Sequence, residues 1–370
     1  MPSLLPYGDD LGPAKIIRIN QPALGLEAAL VVDNVARGPS IGGLRMASDV
    51  TLQECARLAR AMTLKNAAAD LPHGGGKSVL LGDPHQLAER KEALIRAFAH
   101  ALRHEADYIF GPDMGTDEAC MGWVTDEIGR AVGLPAALGG IPLDELGATG
   151  FGLLHAALVA APTIGLELEG ARVAVQGFGA VGTHAARFLV ERGARLVAAS
   201  DSKATVVRAG GLDVSALVAL KHEGKSIGDL PDADRRPNDA VIDVECDIWI
   251  PAARPDVITS ANVDRLRTRL VLQGANIPFS ADAERSLAER RVLVIPDFIA
   301  NAGGVICAAL EYAGATRTAA FEAIAEKIRG NVAAVIERSR AGNLLPREAA
   351  TALATERVRD AMRYRRFGML

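Results

Sequence analysis

The sequence predicts an α/β chain of two domains, the second an open parallel sheet entered through a glycine-rich turn. Three observations predict it. A length of 370 residues exceeds what one hydrophobic core ordinarily serves. Short apolar runs alternate with stretches of helical period along both halves. A loop rich in Gly and Pro, 133–143, separates the halves.

Taken in order, Thr51 to Asn66 carries apolar residues at Leu52, Cys55, Leu58, Ala59 and Met62, the spacing of a helix. A turn is expected at His73 to Gly76, delivering Lys77 into the strand-like run SVLL. Leu87 to His104 reads as an amphipathic helix, followed by a strand at 108–110 and a further helix after Asp117. In the second half, helical period runs from Ala148 to about Ala161, then Arg172 to Gln176 alternates as a strand and enters GFGAVG. Further strands are expected at 196–199, 247–250, 270–272 and 292–295, with helices between most of them. Arg347 to Arg365 is a charged amphipathic helix expected to return to the first domain. The expected domains are therefore 1–145 completed by 336–370, and 146–335.

Composition narrows the function class. Apolar residues make up 49% and charged residues 23%, the balance of a compact soluble protein. Net charge is −4 without a concentrated basic face, which argues against a nucleic-acid partner. Met1 to Asp10 has no cationic stretch followed by an apolar one, and longer apolar runs are interrupted. A cytoplasmic protein without membrane attachment is expected. The cysteines, at 55, 120, 246 and 307, are scattered and read as reduced, buried thiols. His100 and His104 share a helical spacing but lack a nearby acid set, so no metal site is expected.

Gly177-Phe178-Gly179-Ala180-Val181-Gly182 follows the apolar strand VAV and opens the amphipathic stretch THAARFLVERG. In that context the glycines allow a tight turn, close approach of backbone to a pyrophosphate, and close helix–strand contact. The phosphates would meet the N–H groups at the helix start. This is a Rossmann-like dinucleotide site, and NAD or NADP is the expected cofactor. Asp201, after the next strand, suits the ribose hydroxyls and leans towards NAD. Its setting, Ser200-Asp201-Ser202-Lys203, would equally surround a 2′-phosphate.

Two lysines stand out in the first half. Lys65 ends an apolar helical face, and Lys77 follows three glycines. Crowded or apolar surroundings lower a lysine's pKa and suit it to act as a base. Asp113 sits in a constrained turn, GPDMG. From the residues alone each is either functional or ordinary: a solvated lysine, a turn or helix cap.

The chain resembles the glutamate/leucine/phenylalanine/valine dehydrogenase superfamily over nearly its whole length. The signals are Gly42-Gly43-Leu44-Arg45, MTLKNAAADLPHGGGKSV at 62–79, GPDMG at 111–115, GATGFG at 147–152 and VAVQGFGAVG at 173–182. SDSK at 200–203, IPAA at 250–253, QGAN at 273–276 and PDFIANAGGV at 296–305 complete them. The first domain looks most like the leucine branch, while SDSK, IPAA and QGAN look closer to glutamate enzymes. The resemblance implies a substrate-binding and oligomerisation domain, a nucleotide-binding domain, a cleft between them, and a homo-oligomer. It implies reversible oxidative deamination of an L-amino acid to a 2-oxo acid and ammonium. Lys65 matches the lysine that holds the substrate α-carboxylate. Lys77 matches the one that activates water, and Asp113 the acid that exchanges a proton with the amino nitrogen. Gly42 and Gly43 would line the substrate pocket, Thr149 and Asn276 would position the nicotinamide, and Ala252 would lie against the cofactor. Asn301 would lie near the junction of cofactor and substrate.

Departures from the glutamate pattern bear on the substrate. Glutamate enzymes carry a lysine immediately before the first GG and a serine three residues after NAGGV; here Ile41 and Ala308 stand there. A distal carboxylate would be desolvated without a partner, at a cost of several kcal/mol. An apolar side chain is therefore expected, branched aliphatic ahead of phenylalanine or another aromatic, with glutamate, served by a cation from elsewhere, as the next alternative; Leu44, Met46 and Ala309 are further candidate pocket residues. His73 is either a substrate contact or a structural turn histidine.

Overall fold

A computed structural model describes residues 8–365. The outer limits of the expected domains, residues 1 and 370, lie outside this range. The chain divides into two units: Met1–Pro142 with Val305–Ala320 and Thr351–Leu370, and Leu143–Gly304 with Phe321–Ala350.

The first unit contains β1 (Lys15–Gln21), β2 (Leu26–Asn34), β3 (Ser40–Ala47), α1 (Leu52–Ala68), β4 (Gly74–Leu81), α2 (Ala88–Ala101), β5 (Tyr108–Pro112) and α3 (Glu118–Ile128). The sheet order is β1-β2-β4-β3-β5, with β2 antiparallel to β1 and β4, and β3 parallel to β4 and β5. Three strands thus precede the first helix. Periodicity did not mark β2 because it is buried on both faces, so its apolar residues do not alternate.

The expected turn at His73–Gly76 is instead largely the start of β4, the central strand. Its glycines answer to crowding. A Cβ on Gly75 would lie 1.9 Å from the Thr63 backbone nitrogen, so α1 reaches the strand only because that side chain is absent. The start of α1 is fixed by the Thr51 hydroxyl, which accepts from the Glu54 N–H. Its last carbonyls, Ala67 and Ala68, accept from Arg357 at 3.1 and 2.8 Å. Leu30, Phe98, Phe110 and Val124 centre the core on one side of the sheet. Cys55, Ala59, Val31 and Val79 pack under α1 on the other.

The second unit begins with α4 (Leu143–Leu146) and α5 (Ala148–Ala160). There follow β6 (Arg172–Gln176), α6 (Ala180–Val190), β7 (Arg195–Ser200), β8 (Thr205–Val207), α7 (Val214–His222) and β9 (Asp234–Arg236). Next come β10 (Ile248–Pro251), β11 (Leu270–Leu272), α8 (Ala281–Glu289), β12 (Leu293–Ile295) and α9 (Asp297–Ala300). Three helices close the chain: α10 (Gly303–Tyr312), α11 (Arg317–Gly342) and α12 (Pro346–Tyr364).

The sheet order is β12-β11-β10-β6-β7-β8-β9. Strands β12 to β7 are parallel, as expected of a nucleotide-binding sheet, but β8 and β9 are antiparallel. The tight turn after β7, closed by Asp201 N–H to Ala204 O at 2.9 Å, leaves no room for a crossover helix. The division differs from the expected one in two places: Val305–Ala320 falls with the first unit, and the second unit extends to Ala350, so the returning segment starts at Thr351 and not at 336. Phe321 packs against Phe151 and Arg329 donates to His155 at 2.9 Å, which ties this part of α11 to α5 within the second unit. Leu143–Ile164 is long and apolar enough by composition to cross a membrane, but most of it is buried within the protein, as a core helix is.

The four cysteines are buried and free. Helix α2 ends at Ala101, so His104 lies beyond it; His100 faces Glu127 at 3.7 Å.

Candidate active site

Three backbone segments of the first unit converge on one point. Gly43 in β3 pairs with Gly111 in β5, and Lys77 lies on the adjoining central strand β4. A Cβ on Gly43 would lie 2.7 Å from the Asp113 Cβ and 2.9 Å from the Lys77 Nζ. Only glycine lets these two side chains meet there. They do meet: Lys77 Nζ donates to Asp113 Oδ2 in an ion pair.

The turn carrying Asp113 is itself pinned. Asp113 N–H donates to the Thr116 hydroxyl at 3.0 Å, and that hydroxyl donates to Leu44 O at 2.8 Å. Arg45 Nε reaches the same Asp113 oxygen at 3.2 Å while its other end pairs with Glu54. The sequence did not single out Arg45. Its signal was the last position of the GGLR motif, two residues along the strand from Gly43 and so on the same sheet face.

Burial lowers the Lys77 pKa most strongly; Asp113 opposes this and Arg45 adds a like charge that depresses it further. Burial alone would raise Asp113, but Lys77 and then Arg45 outweigh it and hold the carboxyl below its ordinary value. Arg45 thus lowers both groups. An Arg45→Met variant is expected to move the ascending acid limb of the deamination pH profile to higher pH. An unmoved limb in a folded variant would remove Arg45 from the site.

Lys65 lies half-buried on α1, two residues from Thr63, which packs against Gly75. The next residue, Asn66, is buried and donates to Gly74 O at 2.6 Å and Ile41 O at 3.4 Å. It clamps the lysine-bearing turn to β4 and β3. Asn66 was also missed; its signal was an amide in an otherwise apolar face.

Ile41 is buried and registers opposite Gly75. Gly42 O accepts from the buried Tyr108 hydroxyl at 2.7 Å. Ala308 is buried on α10, one turn before Tyr312. The Tyr312 ring meets His73 edge-on at 6.2 Å, and His73 Nδ1 lies 3.0 Å from Pro39 O. This face of α10 therefore points to the chain just before Ile41. His73 is buried, and burial lowers its pKa. Glu311 holds the 133–141 loop by accepting from Gly133, Leu134 and Ile141 N–H at 2.8, 3.1 and 2.8 Å.

In the second unit, Gly177 follows β6 with φ 91 and no space for a side chain beside Ala253. Gly179 is open: nothing lies within 4 Å of where its Cβ would be. It precedes α6, whose first turn has no acid and no side-chain cap. Gly182 fits against Gly177 O, where a Cβ would lie 1.9 Å away. These are the tight turn, open phosphate approach and close helix contact that a dinucleotide requires. Ala180 is exposed and Val181 half-buried at the same helix start. Phe178 is only 2% exposed, so its ring belongs to the core and its backbone alone faces the turn.

Thr149 is half-buried at the start of α5, and Ala252 N–H donates to Gln176 O at 2.7 Å. Asn301 Nδ2 donates to Asn276 Oδ1 at 3.0 Å and Gly274 O at 3.2 Å. Among the described residues, the buried Oδ1 of Asn301 and Oε1 of Gln176 have no hydrogen-bond partner, acceptors suited to an amide or hydroxyl of a bound cofactor.

Asp201 is held by donors from its own chain. Lys203 and Ala204 N–H donate to its Oδ1 at 2.8 and 3.0 Å, and Ile227 N–H to its Oδ2 at 2.9 Å. The Ser226 hydroxyl lies 3.2 and 3.0 Å from the two oxygens. Burial raises its pKa, but these backbone donors outweigh burial and keep it low. A carboxylate has room for about four donors, and these are filled from its own chain. Ser202 and Lys203 beside it are exposed.

Residues 14–130 match the family model described as the Glu/Leu/Phe/Val dehydrogenase dimerisation domain, and 139–366 that of glutamate/leucine/phenylalanine/valine dehydrogenase. An NADP(+)-dependent glutamate dehydrogenase of Pyrobaculum calidifontis is 36% identical, covering 95% of this chain and 91% of its own. A glutamate dehydrogenase of Thermotoga maritima is 35% identical, over 90% and 85%. Among solved structures, the hetero-hexameric glutamate dehydrogenase of Thermus thermophilus in its Leu-bound form superposes with a TM-score of 0.84. It is 32% identical, over 95% of this chain and 90% of that one.

Proposed function

Since the chain belongs to the glutamate/leucine/phenylalanine/valine dehydrogenase family, an amino-acid dehydrogenase using NAD or NADP, we propose that it deaminates an apolar L-amino acid, branched aliphatic ahead of aromatic. The observation that carries this is the pair Ile41 and Ala308, both buried and both uncharged, at the positions where glutamate enzymes pair with the distal carboxylate. Burying a branched aliphatic side chain there contributes about 1.5–3 kcal/mol, whereas an unpaired carboxylate costs several.

The residues divide the chemistry. When bound, the cofactor supplies the acceptor for the hydride leaving Cα. Lys65 holds the α-carboxylate and fixes Cα. Asp113, kept ionised by Lys77 and Arg45, takes the proton from the α-ammonium so that the amine is neutral before the hydride leaves. Lys77, with its pKa depressed by burial, takes a proton from the water that adds to the imino carbon and returns one as ammonia departs. Its contact with Asp113 gives protons a direct path between them. Gly179 and the start of α6 would receive the pyrophosphate, and Thr149, Ala252, Asn276 and Asn301 would hold the nicotinamide side.

NADP is used at least as well as NAD. Asp201 is occupied by its own turn, which leaves Ser202 and Lys203 to meet a 2′-phosphate. The dimerisation-domain match supports a closed oligomer of this chain.

Steady-state rates with leucine, valine, phenylalanine and glutamate, each with NAD and NADP, test the proposal. Higher kcat/KM for an apolar substrate, and NADP equal to or above NAD, are expected. A second reading, glutamate, is favoured by the names of the relatives. A strong preference for glutamate would establish it and require a cation from elsewhere, because Arg45 is engaged by Asp113 and Glu54.

A further inference from the structure

Ile277, directly after Asn276, has φ 48, a left-handed conformation that a β-branched residue rarely adopts. Something must hold it. Its N–H donates to Asp297 Oδ2 at 2.8 Å. Asp297 is buried, and its Oδ1 lies 2.9 Å from the guanidinium of Arg347. The same guanidinium donates to Gln273 Oε1 at 2.7 Å and to both oxygens of the buried Glu284 at 2.9 and 2.8 Å. Gln273 closes the network: its Nε2 donates to Glu284 at 2.8 Å and its Oε1 accepts from Asp297 N–H at 3.0 Å.

One cation therefore joins the end of β11, helix α8 and the start of α9, on either side of the turn 274–277. A buried ion network adds little stability over an apolar core of the same volume, but it fixes geometry. The geometry fixed here is that of the turn presenting Asn276, and through the Asn301 to Asn276 hydrogen bond also that of Asn301.

We propose that Arg347 is the positioning residue for the Gly274–Ile277 turn, holding Asn276 and Asn301 in place through Gln273 and Asp297. The proposal rests on the reading that Asn276 meets the nicotinamide side of the cofactor. The planar fork of arginine engages three acceptors at once; a lysine keeps the charge but serves them as a single point.

The test is the NADPH dissociation constant of the full chain, followed by cofactor fluorescence, for Arg347→Lys, Asn276→Ala and the double variant. Arg347→Lys is expected to weaken NADPH binding about tenfold while thermal unfolding stays near wild type. In the double variant the two losses should not add, since both act through one turn. Asp297→Asn, which keeps an acceptor for Ile277 but loses the charge pair, gives a second route and should weaken binding in the same way. Folded Arg347→Lys and Asp297→Asn proteins with wild-type affinity, beside a weakened Asn276→Ala, would overturn the proposal alone, as would additive losses. Wild-type affinity in Asn276→Ala would instead overturn the reading of Asn276, and the proposal with it.

Discussion

Lys77→Ala is expected to lower kcat for deamination by about a thousandfold or more, while cofactor affinity stays within about twofold. Lys77 lies on the central strand, buried and paired with Asp113, which Arg45 also contacts. Loss of the amine removes the group that moves protons to and from water, and also one of the two cations that keep Asp113 ionised. The remaining activity should therefore show its acid limb at higher pH. The glycine turn lies elsewhere in the chain, so cofactor affinity reports on folding independently of the chemistry. Single-turnover measurements with saturating cofactor decide the matter. A variant that keeps wild-type kcat would strip Lys77 of its proposed role.

The second large effect concerns selectivity. Ile41→Lys combined with Ala308→Ser is expected to move the ratio of kcat/KM for glutamate over an apolar substrate by about a hundredfold or more in favour of glutamate. The lysine supplies the missing counter-charge and the serine a hydrogen bond, while the apolar side chain loses its dry wall. A buried lysine without a partner is costly. The variant should therefore unfold at lower temperature than the parent and recover part of that loss when glutamate is present. Kinetics on the same amino-acid panel check it. A ratio unchanged within a factor of two, in a folded variant, would mean that Ile41 and Ala308 do not face the substrate.

Much of this was legible in the sequence, and for identifiable reasons. GFGAVG reads clearly because its glycines, the preceding strand and the following helix are contiguous in the chain. Lys77 and Asp113 stood out as unusual, but their contact arises from the parallel pairing of β3 with both β4 and β5, which no local pattern encodes. The glycines before Lys77 read as a turn because glycine usually marks one; here they are thin strand residues that let α1 settle on the sheet. Arg45 was overlooked because a charged residue in a strand reads as solvent-facing, while its partners Asp113 and Glu54 come from a distant turn and a helix. The position of Asp201 after β7 is legible in the sequence, but the hydrogen bonds it accepts from Lys203, Ala204 and Ile227 depend on a turn and a later segment that no local pattern encodes.

The strand order of the first unit has a consequence for behaviour on warming. Lys77 sits on the innermost of five strands, with a neighbour on each side, and amides in such a place exchange with solvent only when the whole sheet opens. Asp113 follows the edge strand β5, in a turn held by Thr116, by the Met46 N–H donating to Met114 O at 2.9 Å and by the Arg45 and Lys77 pairs. The two halves of the ion pair thus belong to parts of the molecule with different opening free energies. As temperature rises, the aspartate turn should fray first and reversibly, so activity fades below the main melting transition and returns on cooling. Hydrogen exchange at 113–116 ahead of 76–79 would be its signature.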